Sequence, residues 1–152
     1  LSESFLTTAR LALLARLQAD ETLAANVRTW FDWGPGLKKR FNIEPATCPL
    51  VTVVPAELSS DLAANVVSAI PQDIEIGIAT AGQDAAPSEL LAAAVLDVVA
   101  AANADCLAMS GDGVHGLDVL RVDWQAAEST KAANYRWEVS ITIRINWRRL
   151  AA

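Results

Sequence analysis

From Tyr135 to Trp147 the chain alternates without a break over thirteen residues. Tyr135, Trp137, Val139, Ile141, Ile143, Ile145 and Trp147 fall on one face. Arg136, Glu138, Ser140, Thr142, Arg144, Asn146 and then Arg148 fall on the other. A period of two is the pleat of a β-strand buried on one side. Straight, such a strand is ~43 Å long, well beyond the usual ~5–6 residues. One wholly apolar face of that length needs a sheet to sit in and helices to cover it.

The other elements read more weakly. Leu6, Leu13, Leu14 and Leu17, with Arg10 among them, make one helical stripe that Ser2 or Ser4 can cap. A short second helix is expected over Thr22–Trp30, ended by Gly34-Pro35-Gly36. Pro49–Val54 is rich in β-branched residues and reads as a strand. A weak helical turn follows Ser60-Asp61 through Leu62–Ala69. Asp73–Ala79 alternates, with Ile74, Ile76 and Ile78 on one face. Pro87 opens the strongest helix, whose inner side is Leu91, Val95, Val98 and Ala102 with Leu90, Ala94 and Val99 alongside; Asn103 ends it. In Leu117–Trp124, Leu120, Val122 and Trp124 form the apolar set, and 126–134 is a polar connection. The order α-(α)-β-β-α-β-β predicts an α+β fold: a mainly antiparallel four-strand sheet with the helices packed on one face.

A chain of 152 residues is expected to be one domain, 1–152, and large enough to bury roughly 68–70% of the surface its unfolded chain exposes. It is 53% hydrophobic and 20% charged, which excludes a disordered chain. Two cysteines make no disulfide scaffold. No apolar run nears the ~18 residues of a membrane span, and the first residues lack the basic stretch of a secretory leader. The expectation is a soluble protein with no membrane contact.

Charge is segregated. Residues 1–40 carry a net +2, residues 41–120 a net −11 with no Lys or Arg, and residues 121–152 a net +3, which together make the −6 of the whole. Such a chain is expected either to build surfaces of opposite sign, which orient association, or to interleave its segments so that the field averages out. An acidic total argues against a dedicated nucleic-acid binder.

Catalytic and ligand motifs are weak. His115 is the single histidine, and with Cys48 and Cys106 it fits no zinc spacing. Cys106 and His115 bound one loop, where a Cys–His nucleophile is conceivable, but Cys106 sits in an apolar run as a small hydrophobe does. Gly111-Asp-Gly-Val-His-Gly116 matches G-x-G-x-x-G in letters only, because a helix precedes it and a strand follows, the reverse of a phosphate-binding turn. Asp105, Asp112 and Asp118 lack a calcium-loop pattern. No enzyme, metal or cofactor is expected. What stands out instead is Trp30-Phe31-Asp32-Trp33 beside Lys38-Lys39-Arg40, and Arg148-Arg149 at the end of the last strand. Aromatics next to cations suit a partner surface, although Trp30 and Phe31 also suit the underside of the sheet.

In this layout the chain resembles the tail terminator (tail completion) proteins of long-tailed bacteriophages. The resemblance rests on the N-terminal helix, the segments Pro49–Val54 and Ile74–Ile78, the Pro87-started helix, Leu117–Trp124 and the long strand Tyr135–Trp147. Trp30–Gly36 and the loop 104–116 depart from it. The resemblance implies a structural virion protein that caps the tail tube and ends its polymerisation. It also implies a ring, usually of six subunits, whose partners are the tube protein and a head-completion (neck) protein. The resemblance further implies that DNA passes through the lumen without specific binding, for which acidic groups drawn from 41–120 would repel phosphate. It implies a place at the head-proximal end of the tail, after assembly in the host cytoplasm. Interface candidates are Trp30, Trp33, Lys38, Lys39, Arg40, Arg136, Arg144, Arg148 and Arg149. The long strand is expected to pair its backbone beyond its own sheet. Alternatives are another phage neck or baseplate structural protein, or a small enzyme using Cys106 and His115.

Overall fold

The computed structural model describes residues 5–32, 48–55, 70–128 and 135–147. In chain order these form α1 (Phe5–Ala19), α2 (Glu21–Asn26), β1 (Thr29–Asp32), β2 (Leu50–Pro55), β3 (Ile70–Gly82), α3 (Ala86–Ala104), β4 (Val114–Glu128) and β5 (Tyr135–Trp147). Two 3-10 turns, Cys106–Ala108 and Ser110–Asp112, join α3 to β4. The expected cap at Ser2 or Ser4, the helical turn at 62–69, the break at Gly34–Gly36 and the connection from 129 to 134 lie outside the described residues.

The strands form one sheet in the order β1-β2-β3-β5-β4. All neighbours are antiparallel except β1 and β2, which run parallel. The sheet is therefore five-stranded and mixed, not four-stranded and antiparallel, although the α+β class holds. The extra strand comes from Thr29–Asp32, where a helix was expected through Trp30. The helix stops at Asn26. Arg28 and Thr29 then donate their N–H groups to Pro49 O at 2.8 and 3.2 Å, drawing the chain alongside β2. Tertiary pairing decides a four-residue strand more than propensity does.

β3 and β5 pair over thirteen residues, from Ile70 opposite Trp147 to Gly82 opposite Tyr135. Ile74, Ile76 and Ile78 lie against Ile143, Ile141 and Val139, all buried. Both edges of β5 are filled, because β4 pairs with it on the other side. The long strand cannot extend the sheet to another molecule. Its apolar face instead makes it the spine of the core.

The helices cover that one face, as expected. Ala9, Leu13 and Leu17 of α1, Leu23 of α2 and Leu91, Val95, Val99 and Ala102 of α3 join a single cluster with the sheet's isoleucines. α3 is long and apolar enough to cross a membrane by composition alone. Its buried stripe on the sheet, with Glu89 and Asp97 exposed opposite, is that of a core helix. Leu90, expected on its inner side, is exposed.

The turn after α3 is strained. Cys106, Leu107 and Ala108 follow one another at φ of 54°, 56° and 55°, a left-handed run without glycine. L-residues there cost about 1–2 kcal/mol each. The run is held by Leu107, which is buried in the core, and by Arg16 of α1, which reaches Asp105 at 2.8 Å. The hydrogen bond from Arg16 holds the Asp105 carboxyl below its ordinary value. Ala108 is exposed, so Ala108→Gly removes strain and no packing. Glycine also loosens the unfolded chain by roughly 0.4–1 kcal/mol, which leaves a net gain of about 0.5–1 kcal/mol. The expected result is a higher denaturation midpoint at unchanged slope.

Candidate functional site

Among the described residues no helix covers the opposite face of the sheet, where Phe31 packs against Cys48, Leu50 and Ala79 at the β1–β2 end. Alternation puts Asp73, Glu75, Gly77 and Ala79 of β3 on that face, beside Arg144, Thr142, Ser140 and Glu138 of β5. Asp118, Arg121, Asp123 and Gln125 of β4 complete the rows. Most of these side chains are short or charged, and Asp73, Ser140, Thr142 and Arg144 are half-buried while Glu75, Asp118 and Arg121 are exposed.

The charges are arranged in a ladder. Arg144 holds Asp73 with two hydrogen bonds, Nε to Oδ1 at 2.8 Å and an η-nitrogen to Oδ2 at 3.1 Å. That grip raises the guanidinium pKa further above its usual range. Asn146 donates to Asp118 at 2.7 Å, Arg121 meets Asp123 at 2.7 Å, and Arg136 lies 3.7 Å from Glu138. Exposed pairs of this kind each contribute little to stability, about 0–1 kcal/mol. Their effect is to fix which charge stands where. Between the rows, the small residues Gly77, Ala79 and Ser140 floor a shallow depression of about 430 Å³, rimmed by Glu75, Glu138 and Arg121. A Cβ on Gly77 would come within 2.5 Å of Thr52 Oγ1, so the glycine keeps this floor low.

The second surface is the β4 edge. β4 has fifteen residues and, among the described residues, no strand on its outer side. Its pairing with β5 shifts register between Val114 and Gly116 and again between Val119 and Arg121. The second shift changes the phase of the strand. Val119, Val122 and Trp124, not Leu120, stand opposite the buried Ile143, Ile141 and Val139. At the edge, Val119, Leu120 and Trp124 stay 43%, 44% and 53% exposed. The apolar set expected from sequence is thus mostly outside the core. Asn103 at the end of α3 closes part of the edge by accepting from Leu117 N–H at 2.9 Å.

The candidates from sequence fall unevenly on these surfaces. Arg136 and Arg144 stand on the open face. Trp30 is half-buried and packs against the main core beneath the helices. Phe31 turns the other way, against Cys48, Leu50 and Ala79. Alternation along β1 therefore splits the two aromatics and uses both in packing. Trp33, Lys38, Lys39, Arg40, Arg148 and Arg149 lie outside the described residues. Of the Cys–His pair, Cys106 packs against the core with Sγ 4.0 Å from Asn103 O, and His115 is exposed at the first register shift of β4. No group of three or more metal-ligating side chains occurs among the described residues. Sequence reasoning missed the β4 edge, and the signal was there: two charges of opposite sign, Arg121 and Asp123, inside an apolar strand.

Among the described residues, five strands in a mixed sheet under three helices make an α+β layer fold with one helix-covered face. No family model matches the chain, and no curated protein matches it. Among solved structures it is similar to a chain of the virion of a native gene transfer agent particle, at 22% identity and a TM-score of 0.52. The match covers 95% of this chain and 99% of that chain. At this identity the likeness is one of fold.

Proposed function

We propose that this chain is a structural virion protein of a phage-like particle, and that it caps the head-proximal end of the tail tube as a ring of six copies. The observation that carries the reading is the two-faced sheet, in a fold shared along nearly the whole chain with a virion protein. A cap must dock on the last tube ring and then refuse the next tube subunit. The open face, with its fixed charges and shallow depression, suits a register-specific dock on the tube. The helix-covered face presents no open sheet on which polymerisation continues, and so suits the neck protein. Ring closure joins unlike patches on neighbouring copies, which segregated charge favours. The role needs no catalysis, metal or cofactor. DNA traverses the lumen without specific contacts.

The test is tube assembly in vitro. Purified tube protein with this chain added is expected to give short tubes with a six-fold ring at one end by electron microscopy. Tubes that grow as long with the chain as without it, and carry no terminal ring, overturn the reading.

A further inference from the structure

The middle of the β4 edge is Leu120-Arg121-Val122-Asp123-Trp124, running apolar, cationic, apolar, anionic, apolar. The side chains of Arg121 and Asp123 are 70% and 46% exposed on the open face of β4, the outermost strand among the described residues. Laid antiparallel on itself about Val122, this segment is its own complement. Arg121 faces Asp123 of the second copy, Asp123 faces its Arg121, Leu120 meets Trp124, and Val122 meets Val122. Laid parallel in register, it sets arginine on arginine and aspartate on aspartate. We propose that β4 pairs with β4 of a second copy of this chain, an antiparallel two-fold contact that continues the sheet from one molecule into the next.

Directly opposite side chains in an antiparallel pair lie about 4.5–5.5 Å apart, where opposite charges attract and like charges repel. Within one copy Arg121 already meets Asp123 at 2.7 Å. The pair of copies therefore sets four charges of alternating sign at the corners of one rectangle on the open face. The register shift at Leu120 lies inside this segment, so the ladder that both copies offer without irregularity is Arg121-Val122-Asp123, with Leu120 against Trp124 as an apolar contact beside it. Charges and bulges on an edge strand ordinarily keep other chains off. This edge repels a copy in the wrong orientation and admits one in the right orientation. A two-fold contact uses both edges at once, so it closes at two copies. It is separate from the ring reading, which joins unlike patches, and its test needs no tube protein.

The test is sedimentation of the purified chain at low salt over a rising concentration series, with Arg121→Asp and Asp123→Arg. Wild type is expected to shift from one copy to two. Each reversal alone places like charges opposite each other at both ends of the rectangle and weakens association about tenfold or more. Mixing the two reversed chains one to one restores association as a heterodimer, although neither chain regains its internal Arg121–Asp123 pair. The double variant Arg121→Asp/Asp123→Arg restores it in a single chain. Circular dichroism checks that each variant is folded. A wild type that stays single throughout, an association indifferent to both reversals, or a mixture that stays as weak as its parts overturns the proposal.

Discussion

Ile141→Ala is expected to lower the free energy of unfolding by about 2–5 kcal/mol, the range for deleting a large aliphatic side chain from a packed core. Ile141 is 0% exposed in the middle of β5. It stands between Ile76 of β3 and Val122 of β4, under the helices. Its neighbours are held in three paired strands and cannot collapse into the space left behind, which places the cost in the upper part of the range. A domain's whole stability is about 5–15 kcal/mol, so this one change removes a large share of it. Ile141→Val, which deletes a single methyl, is expected to cost about 0.5–1.5 kcal/mol. Val119→Ala is the contrast. It stands on the same face, two residues along in the sheet and one strand outward, but is 43% exposed, so its loss stays near or below that of Ile141→Val. Chemical denaturation checks all three. A midpoint shift at constant slope is expected for each, in the order Ile141→Ala, Ile141→Val, Val119→Ala. An Ile141→Ala midpoint no lower than that of Val119→Ala would mean that β5 is not the spine of the core.

That ordering shows what the sequence carries and what it leaves out. Alternation in Tyr135–Trp147 identified the strand to the residue and its buried side at Val139, Ile141, Ile143 and Ile145, because every second position obeys one rule. It said nothing of the strand's neighbours, since a period of two looks the same at an edge and at a centre. β5 looked available for pairing and is filled on both sides. Its partner β3 is equally long, but Pro71 and Gly82 bound the apolar signal, so only Asp73–Ala79 was legible. In β4, Val122 and Trp124 were read on the correct side and Leu120 was not. The register shift next to Leu120 moves the inward positions by one, and no local residue announces it. β1 was invisible because Thr29–Asp32 becomes a strand only by lying along β2. α3 was legible from Pro87 and its apolar stripe, but Leu90 is exposed, because a stripe wider than the available sheet leaves its margin in water. Of the candidate surface, Arg136 and Arg144 were placed correctly by parity alone. The depression between the strands needs β2, β3, β4 and β5 side by side and has no counterpart in any stretch of sequence.

The largest functional effect is expected from filling that depression. Ser140 is half-buried on the open face, opposite Gly77 on one side and Asp123 on the other. Ser140→Trp raises a large ring from the floor without touching the helix-covered core, and tryptophan is at home in a strand. Ser140 is half-buried outside the main core, so the change in stability is expected to stay within about 1 kcal/mol, a shift of roughly 2–4 °C in Tm for a chain of this size. Docking is a different matter. Two surfaces that match in shape over a shallow basin cannot close on an indole, and charge pairs held apart by its thickness are screened by water and salt. If the open face is the one that meets the tube, Ser140→Trp folds as wild type does and fails to limit tube length. Leu90→Trp, on the helix-covered side and already exposed as leucine, leaves length control intact. The pair of variants separates the two faces in a single electron-microscopy assay. Short, ringed tubes with Ser140→Trp and runaway tubes with Leu90→Trp would reverse the assignment, because the helices would then be the docking side.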